Sequence, residues 1–288
     1  MASNITETPA EMEINVGQVL SGRLPRLARF IPSRLIRRLE RLICQDELNR
    51  LLHENAGLTG SDFCHGVLRS LDIRTSISNP EAMPPKDSPR VVFACNHPLG
   101  GLDGMALIDL VTRHFNHPVH FVVNDLLMAI KPLEPVFLPV NKFGRQSRES
   151  FRNIDAAFEG DDPILVFPAG LCSRLQKVED ADGKKGLAVR DLEWHNMFIK
   201  KCRRYARDII PLFFDGENSA DFYRKARLRK RLHIPFNFEM TLLPREMIQS
   251  RGNHYTVTVG SRIPFGSLTG DANALAAEIR RKVYQLKQ

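Results

Sequence analysis

Between residues 91 and 214, short uninterrupted apolar runs alternate with stretches of helical spacing, and few folds accommodate that alternation. Val91-Val92-Phe93-Ala94-Cys95 offers no polar side to water, so as a strand it must be covered on both faces. Ile164–Phe167 and Ile209–Phe214 repeat this character, and Val119–Val123 and Val136–Val140 supply two further strands. Between them the spacing predicts helices over Met105–Phe115, Gln146–Phe158 and Glu193–Tyr205, with a short one over Asp125–Ile130. Strands buried on both sides and joined through helices predict an α/β fold, a mixed and largely parallel sheet flanked by helices. Further along, the pattern predicts a strongly basic helix over Ala220–Leu232 and strands over Phe236–Leu243 and Tyr255–Val259. A closing helix over Asp271–Leu286 has Asp271 as its cap.

The chain before this region is different. To about Leu71 it reads as helical, with Ser33 as an N-cap and Leu35, Ile36, Leu39, Leu42 and Ile43 on one stripe. Arg34, Arg37, Arg38 and Arg41 occupy the opposite face, and Arg23, Arg26 and Arg29 lie upstream. This is the make-up of an interfacial helix, and equally of a helix packed on a core with a solvated basic face. The proline-rich connector at 79–90 marks the expected boundary between a helical, basic, membrane-proximal region (1–80) and an α/β domain (81–288).

Composition removes several classes. With 43% hydrophobic and 26% charged residues in 288, the chain is neither disordered nor collagen-like. No apolar run approaches the ~18 residues of a membrane-spanning helix. The first residues lack a basic segment followed by an apolar one, from which no export signal is expected. Five scattered cysteines (Cys44, Cys64, Cys95, Cys172, Cys202) read as reduced thiols of a cytosolic protein. Lys and Arg number 41 against 33 Asp and Glu, a net +8 that favours an anionic partner: nucleic acid, anionic lipid or an acidic carrier protein.

The segment richest in chemistry is Asn96-His97-Pro98-Leu99-Gly100-Gly101-Leu102-Asp103-Gly104, directly after a buried strand and before a helix. In α/β sheets ligands bind at that carboxyl end. A histidine there titrates near neutrality and can take a proton from an attacking hydroxyl. An aspartate across a short loop can hold its tautomer, and Gly100 and Gly101 allow the loop to double back. Asp103 also fits as a plain helix N-cap, with His97 a polar residue at a strand end; both readings stand on these residues alone.

The wording of this loop resembles the first motif of the glycerolipid acyltransferase family that includes lysophosphatidic acid acyltransferases, Asn-His-x-x-x-x-Asp after a hydrophobic strand. Phe137-Leu138-Pro139-Val140-Asn141-Lys142 resembles the second block, Val166-Phe167-Pro168-Ala169-Gly170-Leu171-Cys172-Ser173-Arg174 the third, and Ile209-Ile210-Pro211-Leu212-Phe213 the fourth, in the family's order. Two departures stand out. Five residues separate His97 from Asp103 where the motif has four, and Ala169 replaces the usual glutamate of the third block. His-Pro-x-Gly-x-x-Asp with Phe-Pro-Ala-Gly is similar to a related branch, partly haemolysin-like and partly linked to bacterial aminolipid synthesis.

The resemblance implies an O-acyltransferase working peripherally on the inner face of the cell membrane. It moves an acyl chain from acyl-carrier protein or acyl-CoA to the hydroxyl of a lyso-lipid, without metal or other cofactor. His97 is then the general base and Asp103 its support. Asn96, Gly100, Gly101, Lys142, Ala169, Gly170, Ser173 and Arg174 are the candidate substrate-binding positions. The altered third block favours a lyso-aminolipid acceptor, with lysophosphatidic acid as the alternative. Anionic lipid or the acidic carrier accounts for the positive charge, met by the N-terminal helix and by Arg224, Lys225, Arg227, Arg229, Lys230 and Arg231.

Other classes fit less well. His114-x-x-His117-x-x-His120 invites a metal, but Pro118 breaks any helix that would converge the three and no acid lies within the run. The arginine clusters lack interleaved aromatics and any nucleic-acid-binding signature, so nucleic acid is an unlikely partner. Neither a G-x-S-x-G elbow nor a phosphate-binding P-loop is present. A related fold that only binds lipid remains as a non-catalytic alternative.

Overall fold

A computed structural model describes residues 13–18, 32–140, 148–179 and 185–287. Arg23, Arg26, Arg29 and Lys142 lie outside the described residues. Among the described residues from Pro32 onward, the first elements are the helices α1 (Ser33–Leu42), α2 (Gln45–Glu54) and α3 (Gly60–Ser70). Then follow β1 (Arg74–Ile77), β2 (Val91–Cys95), α4 (Leu102–Phe115), β3 (His120–Asn124), β4 (Phe137–Val140), α5 (Arg148–Glu159) and β5 (Ile164–Val166). A hairpin of β6 (Arg174–Glu179) and β7 (Lys185–Arg190) precedes α6 (Met197–Tyr205), β8 (Asp208–Asp215), α7 (Ala220–Arg231), α8 (Leu243–Gln249), β9 (His254–Val259) and α9 (Ala272–Gln285).

Seven strands form one mixed sheet in the order β1-β9-β8-β2-β5-β3-β4. The five from β8 to β4 run parallel, β9 is antiparallel to β8, and β1 is parallel to β9. The central strands explain the uninterrupted apolar runs. Val91, Phe93 and Cys95 face a core built with α3 and α4, while Val92 and Ala94 face a second core with α5, α6 and α9. All five β2 residues are buried, so alternation survives as a choice between two apolar layers.

Residues on both sides of the 79–90 connector share this sheet: Arg74–Ile77 pair with His254–Val257, and Asn79 closes the edge by bonding both the N–H and the C=O of Val259 (2.8 and 2.6 Å). Helix α3 likewise contributes Phe63, Cys64, Val67 and Leu68 to the core that receives α4.

Several local expectations need correction. Phe236–Leu243 is no strand but a 3₁₀ turn (Phe238–Leu242) running into α8, because Glu239 turns inward to buried Arg174 and half-buried Arg229, and Pro244 suits a helix start. Ser33 is the first helical residue; Pro32 holds the cap position and α1 has no side-chain cap bond. The helix after the glycine loop starts at Leu102, which puts Asp103 inside its first turn rather than at its cap, and the helix expected from Glu193 starts at Met197. Among the described residues no helix is long and apolar enough to cross a membrane.

Candidate active site

The loop between β2 and α4 is anchored before it turns. Asn96, 2% exposed, donates from Nδ2 to the Phe214 carbonyl (2.9 Å) and accepts the Phe214 N–H (2.7 Å), extending the β2–β8 ladder by one side chain. That anchoring sets where His97 leaves the sheet. The His97 N–H donates to Asp191 Oδ1 (3.1 Å), and the His97 carbonyl accepts the Ser173 N–H (2.6 Å). Farther round, the Pro98 carbonyl accepts from Asn218 Nδ2 (3.1 Å).

The turn closes at Gly100, whose φ of +86° lies in the left-handed region open to glycine. A Cβ here would also stand 2.6 Å from Leu243 Cδ1. Gly101 (φ −151°, ψ −45°) has open space where a Cβ would stand, so the left-handed turn and the close contact both fall on Gly100.

Closure brings His97 Nδ1 to 3.0 Å from Asp103 Oδ2. Asp103 is fully buried, and the same oxygen accepts the N–H of Leu99 (2.9 Å) and, more weakly, of Gly100 (3.4 Å); Oδ1 accepts from Gly104 N–H (2.9 Å). A carboxylate collecting these donors is an acceptor only, so the Nδ1 proton belongs to the imidazole. Nε2 is left as the basic nitrogen, and among the described residues it makes no hydrogen bond. The ring is stacked on Phe167 (centroids 4.0 Å apart, 17° between planes), and its side chain keeps 13% exposure. Phe167 is itself held edge-on by Phe121 at 5.2 Å. An imidazole with one nitrogen tied to a buried carboxylate and the other unpaired can accept a proton without turning. The Leu99 and Gly100 N–H groups aim inward at Asp103 and are spent on its carboxylate.

The third block lies beside this loop, with its residues divided. Ser173 donates from Oγ to Asp191 Oδ1 (2.6 Å) and so shares a carboxylate with the His97 N–H. Gly170 is exposed, with a φ of +63° that turns the chain after Phe167. Ala169 points into the second core and is 3% exposed. Arg174, 8% exposed, donates to the Cys172 carbonyl (2.7 Å) and to Glu239 Oε1 (3.0 Å) and lies over Phe222. Its charge is answered inside the fold, and it clamps the loop to α7 rather than offering a cation to a headgroup.

Asp191 carries no motif and escapes sequence reasoning. It sits just after β7, a short and mostly exposed hairpin strand, yet it is fully buried. Trp194 Nε1 donates to its Oδ2 (2.8 Å), and burial pushes its carboxyl above the usual range against these bonds. Phe167, within the third block, has no role that its residue type announces, yet its ring is the surface on which the His97 imidazole stacks. Burial also holds the nearby Cys95 thiol far above its ordinary range and Cys172 at about 11, so neither is a ready nucleophile.

The histidine run elsewhere is dispersed. His114 bonds the Pro84 carbonyl (2.7 Å), while His117 and His120 both approach Asp162 (3.3 Å each). Among the described residues no cluster of three or more His, Cys, Asp or Glu is arranged to hold a metal ion.

A mixed α/β sheet with a histidine on the loop after a central strand, paired to an aspartate in the first turn of the next helix, is one of the frames on which acyl transfer is built. The model of the Acyltransferase family matches residues 18–288, and the chain belongs to that family. The chain is similar to the lyso-glycine lipid O-acyltransferase of Phocaeicola vulgatus, with 37% identity over 252 residues, 88% of this chain and 86% of the relative. The protein of the same name from Bacteroides thetaiotaomicron is also 37% identical over 252 residues, 88% of this chain and 89% of the relative. Among solved structures, the 1-acyl-sn-glycerophosphate (LPA) acyltransferase PlsC from Thermotoga maritima superposes with a TM-score of 0.44 at 12% identity, covering 94% of this chain and 96% of that one.

Proposed function

We propose that this acyltransferase moves an acyl chain from a thioester, acyl-carrier protein or acyl-CoA, to the hydroxyl of a lyso-aminolipid of the lyso-glycine type, working on the inner face of the cell membrane. The observation that carries the reading is the 3.0 Å contact between His97 Nδ1 and buried Asp103, with Nε2 unpaired at the end of a central strand. In the step proposed, Nε2 takes the acceptor's hydroxyl proton while the oxygen attacks the thioester carbonyl. The C–S bond then breaks, and the thiolate takes the proton back from the imidazolium. Asp103 supports the positive ring in between, as the carboxylate of a triad does. The thioester carries the activation, so the reaction needs no metal or prosthetic group. The names of the two relatives favour a lyso-glycine lipid over lysophosphatidate. So does the inward Arg174, which is not free to hold a phosphate.

The test is a labelled acyl-donor assay with both donors, offering lyso-glycine lipid and lysophosphatidate side by side. Acylation of the lyso-glycine lipid is expected. Formation of phosphatidic acid alone overturns the acceptor, and equal transfer by the wild type and His97→Ala overturns the base.

A further inference from the structure

Helix α7 has two unlike sides. Phe222, Tyr223 and Ala226 are buried, while Arg224, Arg227, Leu228 and Arg231 recur at i, i+3, i+4 and i+7 on an exposed face. The chain continues that face with Leu232 and Phe236. Leu228, Leu232 and Phe236 are 50%, 57% and 67% exposed, three large apolar side chains standing among cations. Arg227, Lys230 and Arg231 form no ion pair among the described residues, whereas Lys225 is held by Asp221 (2.6 Å) and Arg229 by Glu239 (3.0 Å).

Helix α1 joins the same region, its Leu42 packing against the cluster of Cys172, Phe222, Tyr223 and Leu242. None of its residues is fully buried, and Leu35 is 46% exposed beside Arg34, Arg37 and Arg38.

We infer that the segment from Arg224 to Phe236, with α1 beside it, is the face on which the protein sits on an anionic bilayer. Leu228, Leu232 and Phe236 enter the boundary between headgroups and acyl chains, and Arg227, Lys230 and Arg231 lie on lipid phosphates. This rests on the lyso-lipid reading for the nature of the surface and deepens it by naming the residues that touch it. An acidic protein such as the acyl carrier would be met by the cations alone. Protruding leucines and a phenylalanine call for an apolar medium behind the charge.

The face is also wired to the reactive loop. Arg229, on the inner side of α7, shares Glu239 with Arg174 (3.0 Å each), and Asn218 just before α7 holds the Pro98 carbonyl. A lipid acceptor thus meets His97 from a surface whose supports are the loop's own.

The experiment is sedimentation of the full chain with phosphatidylcholine vesicles, with and without phosphatidylglycerol. The wild type is expected to bind the anionic vesicles. Reversing three cations (Arg227→Glu, Lys230→Glu, Arg231→Glu) should weaken that binding roughly 100-fold or more, at about fivefold per cation. Replacing the wedge (Leu228→Ser, Leu232→Ser, Phe236→Ser) should cost about tenfold or more. Both variants should still acylate a short-chain, water-soluble lyso-acceptor at the wild-type rate. In an otherwise unchanged chain, Phe236→Trp should show a blue-shifted emission on adding anionic vesicles, against the single buried Trp194.

Absence of wild-type binding, undiminished binding by both variants, or an unshifted Trp overturns the inference. So does a charge-reversed variant that keeps its vesicles but shows a raised KM for the acyl carrier. Vesicle binding lost in the variants, in a protein that acylates no lyso-lipid, leaves the docking face standing and removes only the acceptor.

Discussion

The sheet buries a charge at each end of its parallel strands. At the amino end, Arg207 is fully buried just ahead of β8 and donates to the carbonyls of Phe158 (2.7 Å), Asp162 (2.8 Å), Ala157 (3.0 Å) and Gly160. Burial lowers its guanidinium to about 10, which still leaves it charged at neutral pH. At the carboxyl end Asp103 is equally buried, but one of its partners is a side chain that keeps an unpaired nitrogen and some exposure. A buried charge whose partners all belong to the backbone fastens the fold. One whose partner retains an open valence can act on something else.

Replacing the open partner should give the largest effect. His97→Ala is expected to lower kcat by about 10³–10⁴-fold, near the upper range of general-base contributions, with the thermal midpoint nearly unchanged. Paired turnover and melting measurements check this, and a variant that loses its fold together with its activity breaks the contrast. Asp103→Asn should follow, losing about 10²–10³-fold in kcat, within the range of a general base's contribution, since the amide keeps the shape while allowing the wrong tautomer.

Arg207→Met should do the opposite. Leaving several buried carbonyls without a donor is expected to cost about 3 kcal/mol of unfolding stability, read from denaturant melts, while kcat per folded molecule stays within about twofold. A collapse of kcat in the folded fraction would merge the two ends into one unit.

The smallest effect belongs to a surface trio of charges. Lys225 and Arg245 beside Asp221 hold its carboxyl at about 2, below its ordinary 3.8. Because the folded value is depressed, the stabilisation is present at neutral pH and is lost as pH falls from about 3.8 through about 2. Asp221→Asn should flatten stability across that acid window and change it little at pH 7, by well under 1 kcal/mol for a solvent-screened trio.

What was legible in the chain follows from the same physics. β2, β5 and β8 announce themselves because double-sided burial demands unbroken apolar runs, and the glycine turn makes the approach of Asp103 to His97 readable. β1 (Arg-Thr-Ser-Ile) and the β6–β7 hairpin (Arg174–Glu179, Lys185–Arg190) were silent, since edge and hairpin strands leave one or both faces polar. Phe236–Leu243 misled because its apolar residues serve two purposes, Leu242 packing under α7 while Phe236 stays in the open. Asp191 could not be found from its neighbours. Its importance comes from Ser173, Trp194 and the His97 N–H converging from elsewhere in the chain, and convergence leaves no local spelling.

The contact between Gly100 and Leu243 bears on how this scaffold can be re-engineered. Any side chain at position 100 meets both an unfavourable φ and a leucine methyl at 2.6 Å, so the loop itself has no room for diversification. The adjustable partner is across the gap. Trimming Leu243 on α8 would hollow out space next to the turn while its backbone stays as it is, which makes position 243 the place to begin a library aimed at bulkier alcohols.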